Sequence, residues 1–299
     1  MAAIELIRVS KEFPGVKVID NISFSVTKGR IHGLLGPNGA GKTTTMKIIA
    51  GLLPPSKGQV RVASSVGLLS ENPPFYYNMT VERFLEFIAA IYGVEDKFIK
   101  KQVRSVMEKC GLSHKAAKPI GHLSKGFKQR VGIAQALVFD PEILIFDEPT
   151  VGLDPLAIDE IRALIRSLRG SHTILLSTHL LHEVDLLCSE MTIIHQGKIL
   201  QTGEVGHIGK NLEARQVIQV ELANWNEQIK NEMMKVFSFE NMELQSRDGH
   251  MDLKFYFKDD RDLRPRLSEF FIKNNCGLLS FRRKNMNVEE IFRRITGGE

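Results

Sequence analysis

Nine consecutive residues, Gly36-Pro37-Asn38-Gly39-Ala40-Gly41-Lys42-Thr43-Thr44, have the types and spacing needed to hold a nucleoside triphosphate. Gly36, Gly41, Lys42 and Thr43 fill the fixed places of the pattern G-x-x-x-x-G-K-[ST]. Glycines let successive backbone N–H groups turn toward one point, and a helix that starts there adds the positive end of its dipole. On this pattern Lys42 reaches the terminal phosphates and the Thr43 hydroxyl holds Mg2+. The run Ile31-His32-Gly33-Leu34-Leu35 enters the loop and a helical pattern from Thr44 to Ala50 leaves it. That strand–loop–helix setting is the one the motif requires. The motif alone implies nucleoside triphosphate binding and nothing narrower.

A pair of carboxylates supplies the next chemistry. Ile143-Leu144-Ile145-Phe146 reads as a strand covered on both faces, and Asp147-Glu148 ends it. Asp147 can hold the Mg2+ shell through water, and Glu148 can polarise an attacking water as general base. Bound Mg2+ offsets the mutual repulsion of two adjacent carboxylates. Such a pair also suits an ordinary strand end, and the phosphate loop upstream favours the catalytic reading.

The elements that must position these residues alternate strand and helix. Half-buried strands are expected at 4–9 and 22–26, short strands at 60–62 and 66–69, then helices at 80–92 and 96–110. Thr80 caps the first of these helices, with apolar residues at Val81, Phe84, Leu85, Ile88 and Ile91. Ser124 opens another helix. Strand 143–146, helix 155–169, strand 173–177, a helix near 180–188 and strands 191–195 and 198–201 follow. This order predicts an α/β fold with a mostly parallel sheet and helices on both faces. After a connector at 205–214 the pattern becomes strand 217–222, helix 226–236, strand 240–246, a turn at Asp248-Gly249, strand 251–257, helix 261–274 and strand 278–283. That order suits a ferredoxin-like α+β domain over 215–299, closed by an amphipathic helix from Val288 to Ile295.

Composition narrows the class. The chain has 299 residues, enough for one large domain and a smaller one. Its net charge of +5 is spread along the sequence without the clustered basic stripe of a nucleic-acid groove. No nucleic-acid partner is expected. Arg282-Arg283-Lys284 is a compact basic run and reads as a solvated strand end. Cys110, Cys188 and Cys276 are scattered and have no metal-ligand spacing, which suits a reducing cytoplasm. No stretch approaches the ~20 apolar residues of a membrane span, and the first residues lack a signal-peptide core. A soluble cytoplasmic protein is expected, with any membrane role exercised through a partner.

The stretch Leu123-Ser124-Lys125-Gly126-Phe127 decides between nucleotide-binding classes. It resembles the L-S-G-G-Q signature of the ATPase subunits of ATP-binding cassette (ABC) transporters, keeping the serine and second glycine. Lysine and phenylalanine replace the first glycine and the glutamine. Further matches fall in family order over residues 4–203. By this resemblance the first domain, residues 1–204, is a P-loop NTPase. Its RecA-like core carries a small antiparallel β subdomain and a helical subdomain over about 72–140. Ser124 and Gly126 then cap the γ-phosphate held by an opposite subunit, and Ser124 also serves as a helix cap. Phe13 resembles the aromatic that stacks on adenine, with a core phenylalanine as the plain alternative. Pro149 and Asp154 look like the loop that couples two ATP sites, and His179 resembles the switch histidine at the γ-phosphate.

Glu71 stands where the family often has a glutamine that senses Mg2+ and the attacking water. A carboxylate there binds metal and accepts hydrogen bonds but cannot donate one. Glu71 and the L-S-K-G signature are similar to those of exporters that include gliding-motility and drug-efflux ATPases. The short 58–71 segment implies a trimmed antiparallel subdomain. The resemblance thus implies an ATP- and Mg2+-dependent ATPase, peripheral on the cytoplasmic face of the membrane. It would pair head to tail with a second copy, or a homologous ATPase subunit, and drive an integral membrane permease. Phe75, Tyr76, Tyr77 and Met79 either contact that permease or pack inside the helical subdomain. An ABC-type ATPase acting on ribosomes or DNA is the alternative, and a regulator that binds ATP without hydrolysing it is a third. The single cassette and the retained Lys42, Asp147, Glu148 and His179 disfavour both.

Overall fold

Three strands whose every residue is buried form the middle of the first half of the molecule, as continuous apolar runs predict. The structure, a computed structural model, describes residues 1–205, 216–239, 241–247, 249–257 and 262–284. Its contacts divide the chain into two units, Met1–Val205 and Gly206–Glu299. The first unit begins with β1 (Ala2–Phe13), β2 (Val16–Thr27), β3 (Ile31–Leu35) and α1 (Lys42–Ile49). It continues with β4 (Lys57–Val62), β5 (Val66–Leu69), α2 (Val81–Ile91), α3 (Asp96–Lys109) and α4 (Lys125–Leu137). It ends with β6 (Ile143–Asp147), α5 (Pro155–Ser167), β7 (Thr173–Thr178), α6 (Leu181–Leu187), β8 (Glu190–His195) and β9 (Lys198–Glu204).

The main sheet has the order β5-β6-β7-β3-β8-β9, parallel except for β9. Because β7 lies between β6 and β3, the C-terminal ends of these three strands are neighbours. The backbone N–H of Gly36 donates to the Thr178 carbonyl at 3.2 Å and ties two of those ends together. In open α/β sheets this edge is where ligands bind.

A second sheet, β2-β1-β4, is antiparallel. Strands β1 and β2 run well past the predicted 4–9 and 22–26. Bulges between Leu6 and Val9 and between Val9 and Lys11 break the alternation that marks a strand. Helices α2, α3 and α4 pack around Phe84, Val103, Val106, Val131 and Ile133. Thr80 caps α2 by accepting the Arg83 N–H. Ile91, placed in the same apolar stripe by the sequence pattern, is instead exposed on the last turn of α2. Phe75 and Met79 pack against the helical cluster, whereas Tyr76 and Tyr77 remain exposed. Among the described residues no helix is long and apolar enough to cross a membrane.

The second unit contains β10 (Gln216–Leu222), α7 (Glu227–Val236), β11 (Asn241–Arg247), β12 (His250–Phe257), α8 (Arg264–Lys273) and β13 (Leu278–Lys284). Its sheet order is β11-β12-β10-β13 with antiparallel neighbours, a β-α-β-β-α-β sandwich with its own core. Asn226 caps α7 by accepting the Ile229 N–H at 2.9 Å. Helix α8 starts later than the expected 261, with Pro265 in its first turn where a missing N–H costs nothing. The expected helix Val288–Ile295, the connector from 206 onward and Asp248 lie outside the described residues.

At the N-terminal ends of β3 and β8 a polar cluster joins the two sheets. Glu190 accepts from the Thr27 hydroxyl at 2.9 Å and from Arg30 at 3.1 Å, and its other oxygen is 3.5 Å from His32 Nδ1. The neighbouring His32 ring, then the hydrogen bond from Thr27, hold the Glu190 carboxyl at about 2, below its ordinary 4.5. A depressed folded-state value contributes stability that is complete above the unfolded value and is lost as pH falls toward the folded one. Glu190→Gln should therefore unfold at lower urea than the parent at pH 7. The difference between their midpoints should shrink as pH falls from about 4.5 to about 2.

Candidate nucleotide site

The phosphate loop leaves β3 and turns sharply into α1. A Cβ on Gly36 would run into the Ile194 carbonyl, and Gly41 sits at φ +105°, a conformation L side chains rarely adopt. Gly41 is also the N-cap of α1, so no side chain occupies the N–H groups of the first turn. Thr45 is drawn inward, its N–H and hydroxyl both donating to the Gly41 carbonyl at 2.9 Å.

Beside the loop lies a cavity of about 390 Å³, lined by Pro37, Asn38, Gly39, Gly41, Lys42, Thr43, Thr44, Glu71, Glu148 and His179, with Val18 and Val151. Lys42 is only 6% exposed. Its ammonium donates to the Gly36 and Pro37 carbonyls at 2.7 and 3.2 Å. It also lies 3.1 Å from Glu148 Oε1, an ion pair between two buried groups without hydrogen-bond alignment. The other carboxylate oxygen, Oε2, is 3.0 Å from His179 Nδ1. Glu148 thus stands between Lys42 of the glycine loop and His179, the residue after β7.

Its backbone is unusual as well. Glu148 has φ +50°, uncommon for a residue with a side chain. Its N–H donates to Ser177 Oγ at 2.9 Å, and the Ser177 hydroxyl donates in turn to Asp147 Oδ1 at 2.5 Å. One buried hydroxyl on β7 therefore fixes both carboxylate-bearing residues at the end of β6.

The remaining candidates fall elsewhere. Gly36 and Ala40 shape the loop without lining the cavity, and Asp147 sits behind it. Phe13 is 42% exposed and outside the lining, with the Lys11 ammonium 5.3 Å from its ring centroid. It is not a core residue, and Val18 occupies the apolar wall instead. Ser124 caps α4 by accepting the Phe127 N–H at 3.4 Å, with Gly126 in the first turn. Asp154 caps α5 by accepting the Ala157 N–H at 2.9 Å. Neither Ser124, Gly126 nor Asp154 belongs to the cavity formed by this chain. Ser177, Val18 and Val151 carry no motif signal of their own.

A phosphate loop in the middle of a parallel sheet, with carboxylates and a histidine on the adjoining strand ends, defines a P-loop nucleoside triphosphatase. Comparison with known proteins narrows this. The ABC transporter family model matches residues 19–151. The chain is 33% identical over 304 residues to the bacitracin transport ATP-binding protein BcrA of Bacillus licheniformis, covering 97% of this chain and 96% of that protein. It is 29% identical over 302 residues to the linearmycin resistance ATP-binding protein LnrL of Bacillus subtilis (strain 168), with the same coverage. A solved ATP-binding subunit of an ABC transporter superposes with a TM-score of 0.64 at 29% identity, over 70% of this chain and 93% of that one. The chain belongs to the ATP-binding subunits of ABC transporters, and its activity is ATP hydrolysis coupled to transport.

Removing the Ser177 hydroxyl would leave the buried Glu148 N–H without an acceptor, a loss of about 1–3 kcal/mol. Ser177→Ala should lower the ATPase kcat by roughly ten-fold or more. Binding of a fluorescent ATP analogue, which depends on the loop, should change little.

Proposed function

We propose that this chain is the motor of an exporter. Two copies, or one copy and a homologous ATPase subunit, close head to tail around two ATP molecules and drive a separate membrane permease from its cytoplasmic face. The observation that carries the site assignment is Glu148 held between Lys42 at 3.1 Å and His179 at 3.0 Å beside the glycine loop. The relatives matched along nearly the whole chain are named for bacitracin transport and linearmycin resistance. They support export of an antibiotic-like cargo.

In this reading ATP places its phosphates on the open N–H groups at Gly41–Thr44. Lys42 exchanges the Gly36 and Pro37 carbonyls for phosphate oxygens. The Glu148 carboxylate, released from the ammonium, accepts a proton from the attacking water at Oε1. His179 holds Oε2 and orients the carboxylate. Ser124 and Gly126 of the opposite copy complete the γ-phosphate contacts at the start of α4, and Asp154 stands at the junction of the two sites. Phe13, exposed on the β1–β2 hairpin, is assigned to the adenine ring by resemblance to the family.

The donors available to Mg2+ fit that ion. Thr43 and Glu71 line the cavity, and Asp147 ends the adjoining strand, all offering oxygen. Among the described residues no group of three or more His, Cys, Asp or Glu forms a cation cage. Mg2+ asks for none, because it takes one or two carboxylates with substrate phosphates and water. When bound it offsets the negative charge on the phosphate oxygens during transfer. Glu71, an acceptor only, supports the metal shell and leaves donation to the other groups.

The permease is proposed to dock on the exposed side of the 71–92 segment. Tyr76 and Tyr77 stay exposed there, and Tyr76 packs edge-on to the half-exposed Phe87 at 5.5 Å between centroids. Phe75 and Met79 serve the helical core instead.

Glu148→Gln tests the assignment. It should retain ATP binding, lose about 100-fold or more of kcat and elute as an ATP-dependent dimer on size exclusion. Unchanged turnover removes Glu148 from the base role. Lys42→Ala should instead weaken ATP binding itself by about ten-fold or more, read by equilibrium titration. Co-purification with a detergent-extracted membrane protein supports the transport partner, and RNA or DNA carried through purification supports the soluble alternative.

A further inference from the structure

Helix α5 carries three side chains that reach other helices, Glu160 toward α4 and Arg162 and Arg166 toward α6. Glu160 Oε2 lies 2.5 Å from Arg130 Nη2 on α4, six residues after Ser124. Arg130 is fixed at a second point, because its Nη1 donates to the Cys110 carbonyl at 3.1 Å. On the other side Arg162 forks onto Glu183 of α6. Nη2 donates to Oε1 at 2.5 Å and Nε to Oε2 at 3.3 Å. Glu183 is 2% exposed and stands four residues after His179. Arg166 adds a further tie, donating to the Leu186 carbonyl at 3.4 Å.

A buried ion pair such as Arg162–Glu183 is a weak source of net stability, since desolvating two charges offsets most of their attraction, and the half-exposed Arg130–Glu160 pair adds little more. Apolar side chains of similar size would hold α5 and α6 together at least as well. What a two-point guanidinium–carboxylate contact adds is a fixed angle and register between the helices it joins. The register matters here because each helix opens at a residue assigned to the nucleotide. Ser124 caps α4, Asp154 caps α5, and α6 begins two residues after His179.

We propose that α5 is a positioning link between the two half-sites that one chain contributes. Through Arg130–Glu160 and Arg162–Glu183 it carries a shift at Ser124, which meets the opposite copy's ATP, to His179, which holds this copy's Glu148. None of the four residues touches substrate; they act through Ser124 and His179. The proposal rests on the shared-site reading given above. It adds that the coupling of the two sites runs through side-chain pairs on α5, beyond contact at Asp154 itself. Elements that transmit such coupling must hold two arrangements, and a rigid helix pinned at both sides moves as one body between them.

The test uses the full chain, steady-state ATPase rates against MgATP, and thermal unfolding of each variant. Glu160 is partly exposed, so Glu160→Ala opens the α4 grip with little risk to folding. Glu183→Gln keeps shape and removes the charge on the α6 side. The parent should show a Hill coefficient approaching about two, the number of shared sites. Both variants should lower it toward about one, with KM within about two-fold and kcat reduced about ten-fold, as misplacement of a reacting group predicts. Glu160→Gln, which keeps an acceptor for Arg130, should recover most of the cooperativity. Unchanged Hill coefficient and kcat in both Glu160→Ala and Glu183→Gln overturn the proposal. So does a loss of activity that follows only a loss of folded protein, or a Glu160→Gln variant as impaired as Glu160→Ala. A parent chain that hydrolyses ATP without cooperativity overturns the shared-site reading instead, and with it this one. That outcome is recognised because it needs no substitution.

Discussion

Lys42 is a cation held almost entirely out of water, and much of the first unit is arranged around that fact. A buried ammonium must be hydrogen-bonded and paired, or it sheds its proton. Here two loop carbonyls and Glu148 take that role. Each partner exists only because of its place in the sheet. The carbonyls belong to a loop that has to be glycine-rich, because Gly36 abuts the Ile194 carbonyl on β8. Glu148 arrives at the end of a strand separated from β3 by β7 alone. The same partners suit a triphosphate, whose negative oxygens can replace the carbonyls and the carboxylate without leaving the lysine unpaired. The ion pair thus holds a carboxylate and an ammonium 3.1 Å apart at the wall of the cavity.

Glu148 is held by its backbone as well as by the Lys42 and His179 side chains. Its left-handed backbone conformation is of a kind that costs on the order of 1 kcal/mol or more and persists only when the surroundings over-determine it. Ser177 supplies that determination from β7, accepting from the Glu148 N–H while donating to Asp147. A hydroxyl suits this place because it does both at once; an acid would add a third negative charge, and an amide is too long. Strand pairing brings Ser177 there, since Asp147 and Ser177 are direct partners in the β6–β7 ladder.

That dependence explains what could be read from the sequence. The glycine loop, Asp147-Glu148 and Ser124-Lys125-Gly126 are contiguous, so their spacing is visible before folding. The parallel sheet was legible for a similar reason, because strands covered on both faces are unbroken apolar runs. Residues that act through cross-strand contacts were not legible. Ser177 has no local pattern, and Val18 enters the cavity only because β2 lies over the loop, where the Val18 carbonyl is the nearest atom to a Cβ on Gly41. The long β1–β2 hairpin was shortened in the reading because bulges shift the side-chain alternation on which strand prediction depends. Ile91 was misplaced because periodicity marks a face of a helix but not where that helix leaves the core. Glu160 and Arg162 carry no motif signal, and only the packing of α5 against α4 and α6 gives them partners.

Helix starts offer a last distinction. The first N–H groups of any α-helix lack intrahelical acceptors and must find them elsewhere. In α2 this is settled internally: Val81 and Glu82 donate to the Lys118 and Ala116 carbonyls, and Thr80 accepts from Arg83. In α5 the Asp154 carboxylate makes a short cap at 2.9 Å. In α1 and α4 the balance is left open. Helix α1 has a glycine N-cap and no side-chain acceptor, while α4 has only the 3.4 Å contact from Ser124. Among the described residues no backbone carbonyl takes the N–H groups of Lys42, Thr43, Lys125 or Gly126. Helices α3, α6 and α8 also lack a side-chain cap, so an open start alone does not mark a ligand; α1 differs in that its first residues line the cavity. The first residues of α4 lie outside that cavity, so nothing this chain contributes to it answers their N–H groups.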